Sequence, residues 1–98
     1  MNWPIDNVIS TIATVTSVSS TITNKVVLAA NTNRKAAIFM NNSTAILYLK
    51  FGGAATTSNF SVKLAAGGAY EMSQYSYVGE IDGIWAAANG TVLVTELT

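Results

Sequence analysis

The sequence predicts an all-β fold: an antiparallel β-sandwich, immunoglobulin-like or a small jelly roll, with an extended N-terminal arm. Three observations point there. Short runs rich in Val, Ile, Leu and Thr alternate apolar with polar residues at period two, the spacing that buries one face of a strand. Clusters of Asn, Ser, Thr and Gly interrupt these runs about every eight to twelve residues. No stretch carries a helical period; Ala86-Ala87-Ala88 comes nearest, and its β-type neighbours and Asn89-Gly90 outvote it. A chain of 98 residues and 10.3 kDa allows one domain. We divide it into an arm over 1–8 and a single sandwich domain over 9–98.

The elements follow in order. Pro4 and Asp6-Asn7 resist regular structure, so the first eight residues read as an arm whose Trp3 and Ile5 are free to dock elsewhere. Ile9 to Ser19 is rich in Thr, Val and Ile and reads as a strand. Ile22, Asn24, Val26 and Leu28 then alternate with Thr23, Lys25 and Val27. Asn31-Thr32-Asn33-Arg34 is a polar loop. Ala36 to Met40 is a strongly apolar strand. Asn41-Asn42-Ser43-Thr44 reads as the turn of a β-hairpin leading into Ala45 to Phe51, with Leu47, Leu49 and Phe51 on one face.

Gly52-Gly53 ends that strand, and 54–59 form a loop of small residues. Phe60, Val62 and Leu64 share the face of the next strand. Ala65 to Gly68 turns the chain, and Tyr70 and Met72 alternate with Glu71 and Ser73. Ser73 to Gly79 is aromatic and irregular. Ile81 to Ala88 is a strand with Trp85 read as a core or interface residue, Asn89-Gly90 is a type I′ hairpin signal, and Thr91 to Leu97 closes the domain. About eight strands result.

Composition removes whole classes of chemistry. There is no Cys and no His, so disulfide scaffolds, thiolate nucleophiles, zinc fingers and His-based triads lack their residues. Five Lys and Arg balance five Asp and Glu, and scattered cations make a poor footprint for nucleic acid. No apolar stretch approaches the roughly twenty residues of a membrane span, and the start has no signal-peptide pattern. The lack of Cys fits synthesis in a reducing cytoplasm. Thirty positions are Ser, Thr or Asn against ten charged ones. A soluble monomer ordinarily keeps a charged surface. Val26-Val27-Leu28, Ile46 to Leu49 and Val92-Leu93-Val94 are apolar on both faces. The second face needs cover from the domain's own loops, a neighbouring subunit or another protein.

Few groups carry chemistry. Glu80 and Asp82 lie two apart and share a strand face, so general acid–base work or calcium binding is conceivable there, though a solvated strand edge is the plainer reading. Asn31 to Lys35 holds adjacent cations, Arg34 and Lys35. An anion site is one reading of that loop; an Arg paired to a carboxylate or a carbonyl is the favoured one. Tyr75 and Tyr77 lie in an irregular stretch and suit a contact surface, by sugar stacking or as protein anchors. We expect no enzyme, no cofactor and no metal.

Several motifs occur together in order: Leu28-Ala29-Ala30-Asn31-Thr32-Asn33-Arg34-Lys35, a strand ending in Asn41-Asn42-Ser43, Leu47-Tyr48-Leu49-Lys50-Phe51-Gly52, Leu64-Ala65-Ala66-Gly67-Gly68-Ala69-Tyr70-Glu71, and Ile81-Asp82-Gly83-Ile84-Trp85-Ala86. Over about residues 22–97 this pattern resembles small β-sandwich structural proteins of tailed-bacteriophage virions. Thr32 stands where the pattern has Pro, so that turn is less rigid here. The resemblance implies a head decoration, or cement, protein that stabilises the shell by bridging capsid subunits. Its partners would be the major capsid protein and copies of itself, commonly as a homotrimer. Its place would be the outer surface of the virion after synthesis in the host cytoplasm. The expected contact residues are Trp3, Ile5, Asn31, Asn33, Arg34, Lys35, Tyr75 and Tyr77. The alternative is a tail or fibre module that binds host-surface carbohydrate through Tyr75, Tyr77 or Trp85.

Overall fold

A computed structural model describes residues 9–73 and 76–98. The arm with Trp3 and Ile5, and Tyr75, lie outside these residues. Eight strands form: β1 (Ala13–Ser19), β2 (Lys25–Leu28), β3 (Ala36–Ser43), β4 (Leu47–Phe51), β5 (Val62–Leu64), β6 (Ala69–Met72), β7 (Ile81–Trp85) and β8 (Gly90–Leu97). No helix forms among the described residues.

The strands make two four-stranded sheets, ordered β1-β8-β3-β6 and β2-β7-β4-β5. Every neighbouring pair is antiparallel. Successive strands change sheet at every connection but one, β4 to β5. An immunoglobulin-like sandwich keeps its first two strands in one sheet. The order found here is that of an eight-stranded jelly roll, two interlocked Greek keys. Of the two sandwich types the sequence left open, the chain adopts the second.

Two expected hairpins are therefore crossovers. β3 does not stop at Met40; it runs on through Asn41, Asn42 and Ser43, which face Val92, Thr91 and Gly90 of β8. β4 then starts in the other sheet. The cause is Asn41, which is fully buried. Its amide Nδ2 donates to the carbonyls of Ala45 at 2.8 Å, Leu64 at 3.1 Å and Ala65 at 3.1 Å. Its Oδ1 accepts from Ser43 Oγ at 2.7 Å. One buried side chain thus ties the end of β3 to the β3–β4 connection at Ala45 and to the end of β5 at Leu64 and Ala65, fixing the point where the chain leaves the first sheet. Asn89-Gly90 likewise links β7 to β8 across the two sheets. A Cβ at residue 90 would lie 2.6 Å from the Asn42 carbonyl oxygen and 2.7 Å from Ser43 Cα. Only glycine lets β8 begin flush against the end of β3.

The core lies between the sheets. From the first sheet come Ala37 and Phe39 on β3, Met72 on β6 and Val92 and Val94 on β8. From the second come Val27, Leu47, Leu49, Leu64, Ile81 and Trp85. Alternation follows from the pleat. Leu47 and Leu49 point inward as expected, with Phe51 half-buried beside them. On β7, Ile81, Gly83 and Trp85 face the core. A Cβ on Gly83 would sit 2.7 Å from Val27 Cγ2, so that position admits no side chain.

β2 leaves open in sequence which of its two apolar faces turns inward. Val27 is buried while Val26 faces out, and a register shift between Val26 and Leu28 turns Leu28 halfway inward. A bulge of this kind breaks period two after Val26. Phe60 falls outside β5 and stacks from the outer side on Tyr48, centroids 5.0 Å apart. Among the described residues no helix is long and apolar enough to cross a membrane.

Candidate functional site

The loop after β2 and the stretch before β7, expected from sequence as separate contacts, meet at one end of the sandwich. The Asn31 N–H donates to the Val78 carbonyl at 2.8 Å and the Lys35 N–H to the Leu97 carbonyl at 2.7 Å. Asn31 Oδ1 accepts the Asn33 N–H at 3.0 Å, an Asx turn that does locally what the absent Pro would otherwise do. Ser76 Oγ donates to the Lys35 carbonyl at 3.3 Å.

Arg34 ties this end together from inside. Its side chain has no exposed surface, and Nε donates to Glu96 Oε2 at 2.9 Å. One terminal nitrogen donates to the carbonyls of Tyr77 at 2.8 Å and Gly79 at 3.1 Å, and the other to Ala29 at 2.6 Å. The planar guanidinium fork suits such a divergent set of acceptors. This is the carboxylate-and-carbonyl pairing favoured for the loop, and burial keeps the guanidinium from meeting an outside partner. Asn33 is exposed; Asn31 and Lys35 are half-exposed beside it.

Tyr77 is 38% exposed. Its ring stacks on Phe51 at 5.5 Å and an interplanar angle of 12°. Phe51, Tyr70, Glu71, Met72, Ser73, Ser76 and Tyr77 line a groove of about 300 Å³. Trp85, named as a sugar-stacking candidate, is 1% exposed and belongs to the core.

Glu80 and Asp82 do come together, but not as a solvated strand edge. β7 is an inner strand between β2 and β4. Asp82 is 2% exposed. The loop after β4 folds over it: the Ala54 N–H donates to Asp82 Oδ2 at 2.9 Å, Asn24 Nδ2 donates to the same oxygen at 2.8 Å, and the Ala55 N–H donates to Asn24 Oδ1 at 2.7 Å. Asp82 Oδ1 is buried with no hydrogen-bond partner. Among the described residues the one ion pair is that of Arg34 with Glu96. Asp82 is thus a buried carboxylate held by neutral donors, a costly arrangement unless something shares its charge. Glu80 lies beside it, both carboxyl groups being about 4 Å from where a Cβ on Gly53 would sit. The Glu80 carboxyl is raised above its ordinary value of 4.5, first by its hydrogen bond to Asp82, then by the Asp82 charge, then by burial.

That shift fixes a pH dependence. A folded-state pKa above the unfolded one favours the protonated fold. The contribution is complete below 4.5 and is lost as pH rises through the raised value. Glu80→Gln supplies a neutral donor to Asp82 at every pH. At neutral pH the variant is expected to melt above wild type, with the gap closing as pH falls toward 4.5. Calorimetry of both proteins across that range checks it. A gap that stays constant with pH, or a less stable variant at neutral pH, overturns the coupling of Glu80 to Asp82.

The outer face of the first sheet gathers apolar side chains from three strands. Val92 and Val94 point inward, so Leu93, Thr95 and Leu97 point outward. Ile38 and Met40 lie beside them on β3, and Val15 on β1. Val15 is 64% and Met40 41% exposed. Glu71, opposite Ile38, is the charged side chain of that face among the described residues. Sequence had flagged Leu93 as a two-sided residue; the rest of the face needed the strand order. The outer face of the second sheet differs, because loop 52–59 and Phe60 fold back across it.

Comparison of the chain with protein-family models, curated proteins and solved structures finds no match. Fold and surfaces define its class directly: a small jelly-roll domain with one open apolar sheet face, one end braced by a buried Arg and an acid pair under a loop.

Proposed function

We propose that this chain is a non-enzymatic structural protein of a tailed-phage particle, a decoration module that binds the outside of the head and bridges capsid subunits. One observation carries the reading: the outer face of the first sheet, apolar from Val15 through Leu93 to Met40, on a chain of zero net charge. Apolar side chains left exposed side by side on a sheet suit a protein that works against a partner. Repetition over a symmetric particle would add avidity to individually modest contacts. The ordered motif resemblance set out above supplies the particle.

Quantitative mass spectrometry of purified particles against the major capsid protein tests the reading. A copy number comparable to that of the capsid protein is expected. Met40→Asp, on the exposed face, should fold normally and weaken particle binding about tenfold or more. A handful of copies per particle, or none, overturns decoration. A second reading, carbohydrate binding by a tail or fibre module, is favoured by the groove lined with Phe51, Tyr70, Tyr77 and Glu71. Sugars are recognised by aromatic faces beside a hydrogen-bonding acceptor. A glycan array with the whole chain separates the two readings.

A further inference from the structure

The two sheets have four edges, and the chain treats them unequally. β2 is four residues long, begins with Lys25 and carries a register shift. β5 is three residues long with Lys63 in the middle. β6 is four residues long and carries Glu71. Shortness, charge and bulges are the devices by which natural sheets keep an edge from recruiting another strand. β1 has none of them among its own residues; Lys25 reaches only its last residue, Nζ donating to the Ser19 carbonyl at 3.3 Å. It runs seven residues, Ala-Thr-Val-Thr-Ser-Val-Ser, with unbroken register against β8 and no charged side chain. Six of the seven residues are exposed. Thr14 and Thr16 point to the inner side, opposite Glu96 and Val94, yet remain exposed.

We propose that β1 pairs antiparallel with β1 of a second copy of this chain, about a two-fold axis at Thr16. The occupant follows from the edges themselves. On another copy β1 is the one edge that is long and unbroken in register, and a strand without charged side chains of its own meets its image with no like charges opposed at the axis. The axis stands perpendicular to the sheet, so each residue keeps its face. Val15 falls opposite the second copy's Ser17, Thr14 opposite its Val18, and Thr16 opposite its own counterpart. Thr–Thr pairs of this kind are favourable across strands. Ile12 and Ile22, 58% and 63% exposed, flank the two ends of the strand. The antiparallel register brings Ile12 of each copy to the end from which the other's Ile22 follows. The contact is smaller than the roughly 800 Å² per partner of a standard interface. The dimer is therefore concentration-dependent, with a dissociation constant on the order of micromolar or weaker. The joined sheet has eight strands and doubles the apolar outer face. The pairing uses an edge and not that face, so it stands or falls apart from the capsid reading.

Sedimentation equilibrium of the full chain from about 1 μM to about 1 mM reads it. The mass should climb from 10.3 kDa toward twice that value. Thr16→Lys places two ammonium groups face to face at the axis and should weaken association about tenfold or more; Thr16→Glu should do the same. Mixing the two variants should restore the dimer, because opposite charges then meet. Since Thr16 is exposed, circular dichroism melts of both variants should match wild type. A wild type that stays monomeric over this range, an assembly indifferent to both substitutions, or variants whose mixture stays monomeric overturns the proposal.

Discussion

Replacing Arg34 with Ala is expected to cost about 3–5 kcal/mol, the penalty of breaking a buried ion pair from one side. For a domain of this size, whose total stability is of the order of 5–15 kcal/mol, that is a large fraction. The substitution strands Glu96 and three carbonyls, those of Ala29, Tyr77 and Gly79, at the same end of the sandwich. Each carbonyl loses its charged donor without gaining free access to water. Arg34→Lys keeps the charge but cannot reach divergent acceptors with one ammonium, so it should still lose at least about 1 kcal/mol. Urea unfolding followed by circular dichroism gives both values. Hydrogen exchange adds a local readout: the Asn31 and Lys35 amides, bonded to Val78 and Leu97, should lose protection in the Ala variant before the β3–β8 ladder does. An Arg34→Ala protein within about 1 kcal/mol of wild type would mean the guanidinium is not the brace of this end.

The fold class was legible because it rests on period two and turn spacing, which are local. All eight strands lie within the runs that alternation marks, or extend them by a few residues. Strand order was not legible, and Asn41 shows why. An Asn-Asn-Ser-Thr cluster is the same string whether its amides stabilise a tight turn or pin three distant carbonyls at a crossover. Only the partners at Ala45, Leu64 and Ala65 distinguish the two. The same holds for Asn89-Gly90, where the glycine is needed for closeness to Ser43 and not for a type I′ turn. Val26-Val27-Leu28 is apolar throughout, so only the register shows that Val27 turns inward and that a bulge follows Val26. Arg34 was half legible. A lone Arg in a polar loop points to an internal acceptor, but Glu96 lies sixty-two residues away. Asp82 was the real miss. Spacing put it beside Glu80, and nothing local reveals that a loop from 52 to 55 would close over it.

Trp85→Ala is expected to cost about 3–5 kcal/mol, the range for deleting a large aromatic from a core. Trp85 is the largest fully buried side chain, on the inner face of β7 opposite Leu47. Its position also explains why the loss should not be repaired. β7 lies between β2 and β4, the Trp85 N–H is bonded to the Thr21 carbonyl at 2.9 Å and the following Ala86 N–H to the Ile46 carbonyl at 2.9 Å. Backbone fixed on both sides cannot collapse into the space that the indole leaves. A milder substitution isolates a second term. The indole Nε1 is buried with no acceptor, and an unmet donor costs about 1–3 kcal/mol. Trp85→Phe removes that donor together with part of the ring, so the two effects oppose and the net change should be within about 1.5 kcal/mol. Urea titration by circular dichroism with a common slope measures both variants. Near-equal losses for Phe and Ala would mean that indole volume dominates and the orphan donor costs little. A Trp85→Ala protein as stable as wild type would take Trp85 out of the core and return it to the surface, where the sugar-stacking reading had placed it.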